Sequence, residues 1–443
     1  MQYTRADNTT NKLTPSQLCK GCELPVAVET LPAGKTAYCP RCNTKLYRGG
    51  KNNLTGNIAI AITCLLLFVP SHFFPFISIR LIGMMIPATL PSGTLTLMEE
   101  GFIALGLLIL FCSSIAPLLV SVCVLIIHAA LRKRWFFAFK QALSTVHFLK
   151  QWMMLDVFLV SVAISCFKLQ DYSDIYVGVG LYGIILLQLF SLLLISRVSV
   201  KRYWQAWKSD TSFHVSDKVV HCSHCHLSQP EAQKCLRCHS VLYHRKPYSI
   251  QKTWALLIAA AVFTIPANVI PISIFFNNGQ RVEDTIFSGV ASLIVRDMHG
   301  IALIIFVASI IVPAAKIIGL GYILISIQCK QRILKKQRMF IYFVVKWIGK
   351  WSVMDLFVIS IMMTLVDRGQ ILNFAPGFGA VAFGAVVVLT MLATESFDPR
   401  LIWDNPTATH TSLTKSLKRS LANKQKQTIS VGINNKELDT LDE

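Results

Sequence analysis

Long apolar runs are the feature that most constrains how this chain of 443 residues can fold. Such runs occupy residues 58–68, 103–127 and 301–312. About 20 helical residues are enough to cross a hydrocarbon layer of about 30 Å. Only 15% of the residues are charged, whereas soluble domains carry about a quarter. These observations exclude a soluble enzyme, a secreted disulfide scaffold and a disordered regulator, and they predict an all-α polytopic membrane protein.

Eight apolar segments are long enough to be transmembrane helices. They cover residues 57–76, 100–128, 147–167, 175–196, 254–275, 300–327, 345–366 and 374–394. An even number of spans predicts that both termini lie on the same side of the membrane.

The distribution of positive charge predicts which side that is. Of the 43 Lys and Arg residues, 37 lie in or next to the two tails and the even-numbered loops, five lie in the odd-numbered loops, and Lys316 lies inside a span. Because cationic loops resist translocation, we expect the tails and the even-numbered loops to be cytoplasmic. The net charge of +20 is then an orientation signal, so we expect no nucleic-acid partner.

The chain repeats itself at an offset of almost 200 residues. Pro70 to Pro75 matches Pro266 to Pro271 at an offset of 196, and the segment 152–161 matches 351–360 at an offset of 199. Each half has a cysteine module followed by four predicted helices, which predicts a parallel repeat around an axis along the membrane normal. The predicted domains are 1–53 (zinc ribbon), 54–197 (first four-helix repeat), 198–252 (second zinc ribbon), 253–403 (second four-helix repeat) and 404–443 (disordered cytoplasmic tail).

The proline pairs at the outer ends of the first and fifth spans predict interrupted helices, because proline removes a ladder hydrogen bond. Simple helix termination and a broken helix lining a cavity both fit this pattern.

Two sets of four cysteines carry the spacing of metal sites. Each set has two Cys-x2-Cys pairs, which can supply four thiolates to a tetrahedral ion. We predict two structural Zn sites; an iron site and redox-active cysteine pairs are the alternatives. The predicted ligands are Cys19, Cys22, Cys39 and Cys42 in the first ribbon and Cys222, Cys225, Cys235 and Cys238 in the second.

Lys316 and Asp355 are charged residues within predicted spans of the second half. An isolated charge at such a depth costs at least about 2.5–3.5 kcal/mol, so a paired or cavity-facing arrangement is expected. Asp156 is the repeat counterpart of Asp355, whereas Val120 occupies the position of Lys316. The pattern fits either a structural charge pair or a polar transport pathway, which Ser309 and Thr390 could extend.

Several longer motifs resemble the paraquat-inducible protein A family of bacterial inner-membrane proteins. They are the cysteine pairs and the segments 168–172, 266–273, 283–289, 309–316 and 348–360. The resemblance implies a lipid-transport role, with a periplasmic MCE-domain tunnel protein and membrane phospholipid as partners. It also implies that Ser309, Lys316, Asp355 and Thr390 matter for transport.

Two other functions remain open from the sequence. One is a small-molecule or ion-coupled secondary transporter with metal-stabilised cytoplasmic modules. The other is a membrane redox protein that uses its thiols chemically. The sequence shows no nucleotide-binding motif, and we expect no enzymatic activity.

Overall fold

A computed structural model describes residues 16–27, 31–32, 35–50, 54–81, 84–169, 174–208, 219–277, 280–295, 297, 299–331, 333–366 and 372–404. Small hairpins precede each of two sets of helices along the chain. Before the first set, the hairpins are formed by β1 (Ser16–Leu18) with β2 (Pro25–Ala27) and by β3 (Thr36–Tyr38) with β4 (Lys45–Arg48).

The first set of helices, called the first half below, has eight helices and three strands. They are α1 (Thr55–Phe73), β5 (Ile77–Leu81), β6 (Met84–Ala88), α2 (Ser92–Glu99), α3 (Ile103–Leu110), a π-helical turn (Phe111–Ile115), α4 (Ala116–Lys133), α5 (Phe136–Leu149), α6 (Leu155–Leu169), β7 (Asp174–Val177), α7 (Val179–Arg197) and α8 (Val200–Trp207).

The second hairpin module and the second half repeat this order of elements. They are β8 (Val219–His221), β9 (Ser228–Pro230), α9 (Ser249–Val269), β10 (Ser273–Asn277), β11 (Gln280–Asp284), α10 (Ile286–Val295), α11 (His299–Phe306), a π-helical turn (Val307–Ile311), α12 (Val312–Gln328), α13 (Lys335–Ile348), a 3-10 turn (Gly349–Val353), α14 (Met354–Val366), β12 (Leu372–Pro376), α15 (Phe378–Ser396) and a 3-10 turn (Pro399–Trp403).

Six helical runs are long and apolar enough to cross a membrane. They are Thr55–Phe73, Ile103–Lys133, Val179–Arg197, Ser249–Val269, Ala302–Gln328 and Phe378–Ser396. They correspond to the first, second, fourth, fifth, sixth and eighth predicted spans. Their apolar side chains are widely exposed, as on α9, where only 22% of the most apolar window is buried. This exposure suits helices whose outer faces contact hydrocarbon rather than water.

The third and seventh predicted spans are not single helices of membrane length, so the expectation of eight such helices is not met within the described residues. The 147–167 segment contains the end of α5 and then α6 after a break, and the 345–366 segment contains the end of α13, a 3-10 turn and α14. At 1.5 Å per residue, α6 and α14 are each about 20 Å long. Window-averaged hydropathy does not detect these breaks, because apolar residues such as Trp152 and Val353, both buried, outweigh the few polar residues there.

Two three-stranded sheets, absent from the all-α prediction, lie at the ends of the helices. In the first half β5 pairs with β6 and β7, and in the second half β10 pairs with β11 and β12. Each sheet joins the ends of four helices, which are α1, α2, α6 and α7 in the first half. We call this end of the molecule the sheet side and the opposite end the ribbon side.

The paired prolines end their helices at the sheet side. Helix α1 stops at Phe73, three residues after Pro70, and the chain turns into β5. The Gly178 amide then donates a 3.0 Å hydrogen bond to the carbonyl of Phe76. A Cβ atom at Gly178 would lie 2.1 Å from the carbonyl oxygen of Pro75, so only glycine permits this close approach. Gly377 meets the carbonyl of Pro271 in the same way in the second half, where a Cβ atom would lie 2.0 Å away.

The short helices α6 and α14 meet at the centre of the contact between the two halves, and α14 also packs on α2 and α3 of the first half. Phe158 and Phe357, which are repeat counterparts, meet edge to face with ring centroids 5.5 Å apart. The Ser161 hydroxyl donates to the carbonyl of Met354 at 3.0 Å. Equivalent residues therefore meet at the centre of the molecule, as expected for two similar halves around a shared axis.

Candidate functional sites: a polar seam and two cysteine clusters

The four Cys-x2-Cys pairs share one backbone turn. In each, an amide four residues after the first cysteine donates to that cysteine's carbonyl, at 2.8–3.0 Å. The donor residue follows the second cysteine and has a left-handed conformation with φ between 55° and 58°. These donors are Glu23, Asn43, His226 and His239. Because this turn folds the chain back on itself, the two thiols of each pair lie close together.

The thiols gather into two buried clusters of four. The shortest Sγ–Sγ distances are 3.5 and 3.6 Å in the first cluster and 3.4 and 3.6 Å in the second. Four ligands at the usual Zn–S length of about 2.3 Å around a tetrahedral ion lie about 3.8 Å apart. The predicted cysteines are therefore brought together as two soft-donor sets, and each set could hold one tetrahedral metal ion.

Each cysteine module packs against the half that it does not precede. The first module (16–50, called the first ribbon) shares a buried cluster with α12, α13 and α15 of the second half. A Cβ atom on Gly21 would lie 3.0 Å from the methyl group of Met339, and the Arg41 guanidinium stacks on Trp403 with 4.4 Å to the ring centroid. The first ribbon is therefore fixed to the second half.

The second module (219–241, called the second ribbon) packs on the first half. His239 meets Phe136 of α5 with ring centroids 5.6 Å apart, and the module's four cysteines belong to a buried cluster that includes Phe139 and Leu143 of α5. The two ribbons also touch each other, since the Leu18 amide donates to the Ser228 hydroxyl at 3.1 Å. The repeat pattern does not reveal this crossed arrangement, because it reports only the order of elements along the chain.

A group of ion pairs strengthens the attachment of the first ribbon. Glu23 accepts from Arg245 at 2.7 Å and from Arg400 at 3.0 Å, and Arg400 also pairs with Asp398 at 2.9 Å. Burial alone would raise the pKa of the Asp398 carboxyl, but the hydrogen bonds and charge of Arg400 outweigh burial and hold this pKa below its usual value. The ribbon is thus held to the end of α15 by charge-assisted hydrogen bonds.

Lys316 lies inside the second half and is 1% exposed. Its ammonium donates a 2.9 Å hydrogen bond to the hydroxyl of Thr390, which is fully buried on α15. The Thr390 hydroxyl in turn donates to the carbonyl of Val387 at 3.0 Å. Two of the four residues that the family resemblance implicates are therefore in direct contact, across the interface between α12 and α15.

Ser309 lies two turns before Lys316, on the π-helical turn 307–311. It is buried, and its hydroxyl donates to the carbonyl of Ile305 at 2.7 Å. Single π turns are frequent at functional sites because they insert one extra residue into a helix and change the direction of the side chains. Helix α14, which begins with Met354 and Asp355, packs against this turn.

Asp355 is half-buried in the first turn of α14 and lines a cavity of about 80 Å³. The cavity runs to the sheet side, where Ser273, Asp284 and Thr285 also line it. Its volume and polar lining suit a few water molecules. We use the term polar seam for the interface that contains Ser309, Lys316, Asp355 and Thr390. The sequence does not predict that this cavity connects the seam to the sheet side.

The first half has the same positions without the lysine. Asp156 is half-buried in the first turn of α6, as Asp355 is in α14. The position of Lys316 is occupied by Val120, which is 2% exposed. The two halves therefore differ in charge at this buried position.

Comparison with known proteins assigns the chain to a family. The family model described as Paraquat-inducible protein A matches residues 54–208 and 250–407, that is, each half once. No solved structure matches the chain.

Three relatives are similar in sequence to this chain over almost its whole length. The lipophilic envelope-spanning tunnel protein A of Escherichia coli K12 is 37% identical over 88% of this chain and 91% of its own. A probable intermembrane transport protein of Haemophilus influenzae is 33% identical over 87% of this chain and 95% of its own. The intermembrane transport protein PqiA of Escherichia coli K12 is 31% identical over 87% and 95%.

With six apolar helices of membrane length and relatives named as transport proteins, the chain is a multi-pass membrane protein, and it belongs to the paraquat-inducible protein A family.

Proposed function

We propose that this protein is the inner-membrane subunit of an intermembrane lipid-transport system. In this proposal it passes phospholipid between the inner membrane and a periplasmic MCE-domain tunnel protein, and it is not an enzyme. The names of the relatives, which refer to intermembrane transport and to an envelope-spanning tunnel, support the envelope setting. The lipid and the MCE-domain partner come from the family resemblance.

The observation that carries the proposal is the buried contact between Lys316 and Thr390. A lysine among apolar membrane helices is costly, and one neutral hydroxyl does not compensate for the loss of its hydration. A cost of this kind is expected where polar groups line a substrate or ion pathway. In the proposed mechanism Lys316 and Thr390 attract the polar headgroup, and Asp355 gives access to protons through the cavity on the sheet side.

We propose further that the chain crosses the membrane eight times, as two parallel halves. The Lys150 ammonium donates to the Ile195 carbonyl near the end of α7 at 3.0 Å, whereas β7 is followed directly by the start of α7. Lys150 and β7 therefore lie at opposite ends of α7, although the helix between them, α6, is short. The concentration of Lys and Arg on the ribbon side supports cytoplasmic ribbons and termini.

The ion in the two cysteine clusters is proposed to be Zn²⁺. Four thiolates from two turns are the usual donor set of structural zinc sites, and such sites keep no open position for a substrate. When bound, the metal ties the two hairpins of a ribbon together. The ribbon residues then contribute the contacts that hold each ribbon on the opposite half.

Co-expression with an MCE-domain protein from the same envelope tests the function. We expect the full-length protein to co-purify with that partner in detergent. In vesicles of phosphatidylethanolamine and phosphatidylglycerol, it should transfer labelled phospholipid to the partner. Transport of a small solute by the protein alone, without lipid delivery to the partner, would instead support a secondary transporter and contradict the proposal.

A further inference from the structure

A cavity of about 1340 Å³ lies on the ribbon side of the molecule. It is enclosed by the first ribbon, the ends of α5, α7, α13 and α15, helix α8 and two histidines of the second ribbon. Both halves and both ribbons therefore contribute to one cavity. The polar seam has no residue in its lining, so it is a separate place in the molecule.

The lining of this cavity is strongly cationic. It contains eight Lys and Arg side chains and, within the described part of the chain, a single acidic one, Glu395. The cationic residues are Lys20, Lys45, Arg48, Lys150, Arg197, Lys201, Arg202 and Lys346. They come from the first ribbon, α5, α7, α8 and α13, which are far apart in the sequence. An orientation signal requires cations on this side of the membrane, but it does not require them to converge on one concave space.

Two features indicate a phosphate-bearing ligand rather than diffuse counterions. Like charges gathered in a partly enclosed cavity repel one another and attract a compact, multiply charged anion. Arg and Lys side chains recognise phosphate oxygens well. In addition, Nδ1 of His221, a cavity residue that is 3% exposed, has no hydrogen-bond partner among the described residues.

The position of the cavity favours a lipid as the source of the phosphate. Leu54, Val146, Val198 and Met391 add apolar surface at the ends of the membrane helices. Met391 is the residue next to Thr390 on α15, so the cavity reaches to within one helical turn of the seam. A headgroup held here would lie at the level of the membrane surface and close to the lysine of the seam.

We propose that this cavity is a binding site for a phosphate-bearing anion, and that its occupant is the headgroup of an anionic phospholipid from the leaflet on the ribbon side. The binding itself does not depend on the proposed transport function, although its place beside the seam suits a loading step. A failure to bind would therefore overturn this site alone, while a failure to deliver lipid to a partner would overturn the function alone.

Isothermal titration calorimetry of the full-length protein in maltoside detergent tests the site. The probes are dihexanoyl-phosphatidylglycerol, dihexanoyl-phosphatidylcholine and glycerol 3-phosphate. We expect saturable binding of the phosphatidylglycerol, with affinity about tenfold or more above that of the zwitterionic lipid. Glycerol 3-phosphate should bind weakly, because it lacks the apolar contacts. If it binds as tightly as the lipid, the occupant is a free phosphorylated solute and the lipid assignment is wrong.

The variant Lys45→Gln/Lys150→Gln removes one cation from the ribbon wall and one from α5. Both side chains are exposed to the cavity solvent, so the variant should fold, which its melting temperature checks. The matched control is Lys133→Gln/Lys336→Gln, which removes two exposed charges elsewhere on the ribbon side. We expect an affinity loss of about tenfold in the cavity variant and less than about twofold in the control. Equal losses in the two variants, or no loss in either, would overturn the site.

Discussion

The two halves of the molecule have the same order of elements but differ at the buried place where the second half carries a lysine. Each half has a buried serine on its π turn, an aspartate in the first turn of its short helix, and a buried hydroxyl on its last long helix. The corresponding pairs are Ser113 and Ser309, Asp156 and Asp355, and Ser191 and Thr390. The fourth pair is Val120 and Lys316.

The matched positions of the two halves indicate which of these residues the fold requires. Both π-turn serines donate to the carbonyl four residues earlier, at 2.8 Å for Ser113 and 2.7 Å for Ser309. Such bonds occur in either half and are structural. A valine fills the position of Lys316 in the first half with the same helices around it, so packing alone does not require the lysine. We infer that the second half carries the transport function and that the first half supports it.

The largest expected effect comes from neutralising the aspartate of one half at a time. We expect Asp355→Asn to abolish lipid delivery to the MCE-domain partner, because the amide cannot exchange a proton at the cavity. The matched variant Asp156→Asn should keep more than about half of the activity, since the position of Lys316 is occupied by Val120 in its half. The activity of both variants is measured as lipid delivery from inner-membrane vesicles to the purified partner. Normal delivery by Asp355→Asn, or equal loss in the two variants, would contradict the assignment.

Metal removal from one ribbon should affect the opposite half. Cys22→Ser and Cys225→Ser should each lower the metal content from two ions per chain to one, because a missing thiolate leaves an incomplete tetrahedral site. Cys22→Ser should then accelerate hydrogen exchange about tenfold or more in α13 of the second half, and Cys225→Ser in α5 of the first half. Hydrogen exchange with mass spectrometry and metal analysis measure these effects. Faster exchange mainly in the half that follows each ribbon along the chain would show that the ribbons are not crossed.

Breaking the ion pair between Asp398 and Arg400 at the end of α15 should have a smaller effect on the protein than removing a metal ion. Asp398→Asn removes one of the two carboxylates that pair with the buried Arg400, the other being that of Glu23, and should lower the free energy of unfolding by about 3 kcal/mol at pH 7. The counterpart in the first half, Ser199, is half-buried, and Ser199→Ala should cost less than about 1 kcal/mol. Thermal unfolding in detergent compares the two variants.

The same pair gives a pH dependence with a defined sign. Folding lowers the pKa of Asp398, so the stability that its carboxylate contributes is present above the ordinary carboxyl pKa of 3.8 and is lost as the pH falls. The difference in stability between the wild type and Asp398→Asn should therefore be constant near neutral pH and shrink below about pH 4. A difference that grows on acidification would contradict the lowered pKa.

The smallest expected effect concerns the hydroxyls of the last long helices. Thr390→Val removes the hydroxyl that accepts the hydrogen bond from Lys316 and should cost about 1–3 kcal/mol, because a buried donor loses its acceptor. Ser191→Ala removes a hydroxyl that bonds within its own helix, to the carbonyl of Leu187, and should cost less than about 1 kcal/mol. The unfolding temperatures of the two variants measure both losses of stability. Equal losses would contradict a stabilising hydrogen bond between Lys316 and Thr390.

The sequence predicted the features that have a local signal. Cysteine spacing predicted both clusters, since four thiolates in two short turns leave little freedom in the fold. Hydropathy predicted the six long helices, because each is an unbroken apolar run. The contact between Lys316 and Thr390 joins two residues that the sequence had singled out.

Other features depend on contacts between distant segments and had no such signal. The breaks before α6 and α14 contain only a few polar residues among apolar ones, so averaged hydropathy does not distinguish them from helix. The sheets use only three to five residues per strand, and pairing of β5 with β7 joins residues almost 100 positions apart. The crossed ribbons and the cationic cavity depend on tertiary packing of both halves, which a one-dimensional repeat does not specify.

The central claim is that Lys316 is kept for transport and not for stability. The most direct test measures lipid delivery and the melting temperature together for Lys316→Met, with Val120→Met as the matched change in the first half. Replacing a buried charge by an apolar side chain of similar length is often neutral or stabilising. We predict that Lys316→Met folds with an unchanged or higher melting temperature and delivers no lipid. Normal delivery, or a loss of delivery that only accompanies unfolding, would contradict the account.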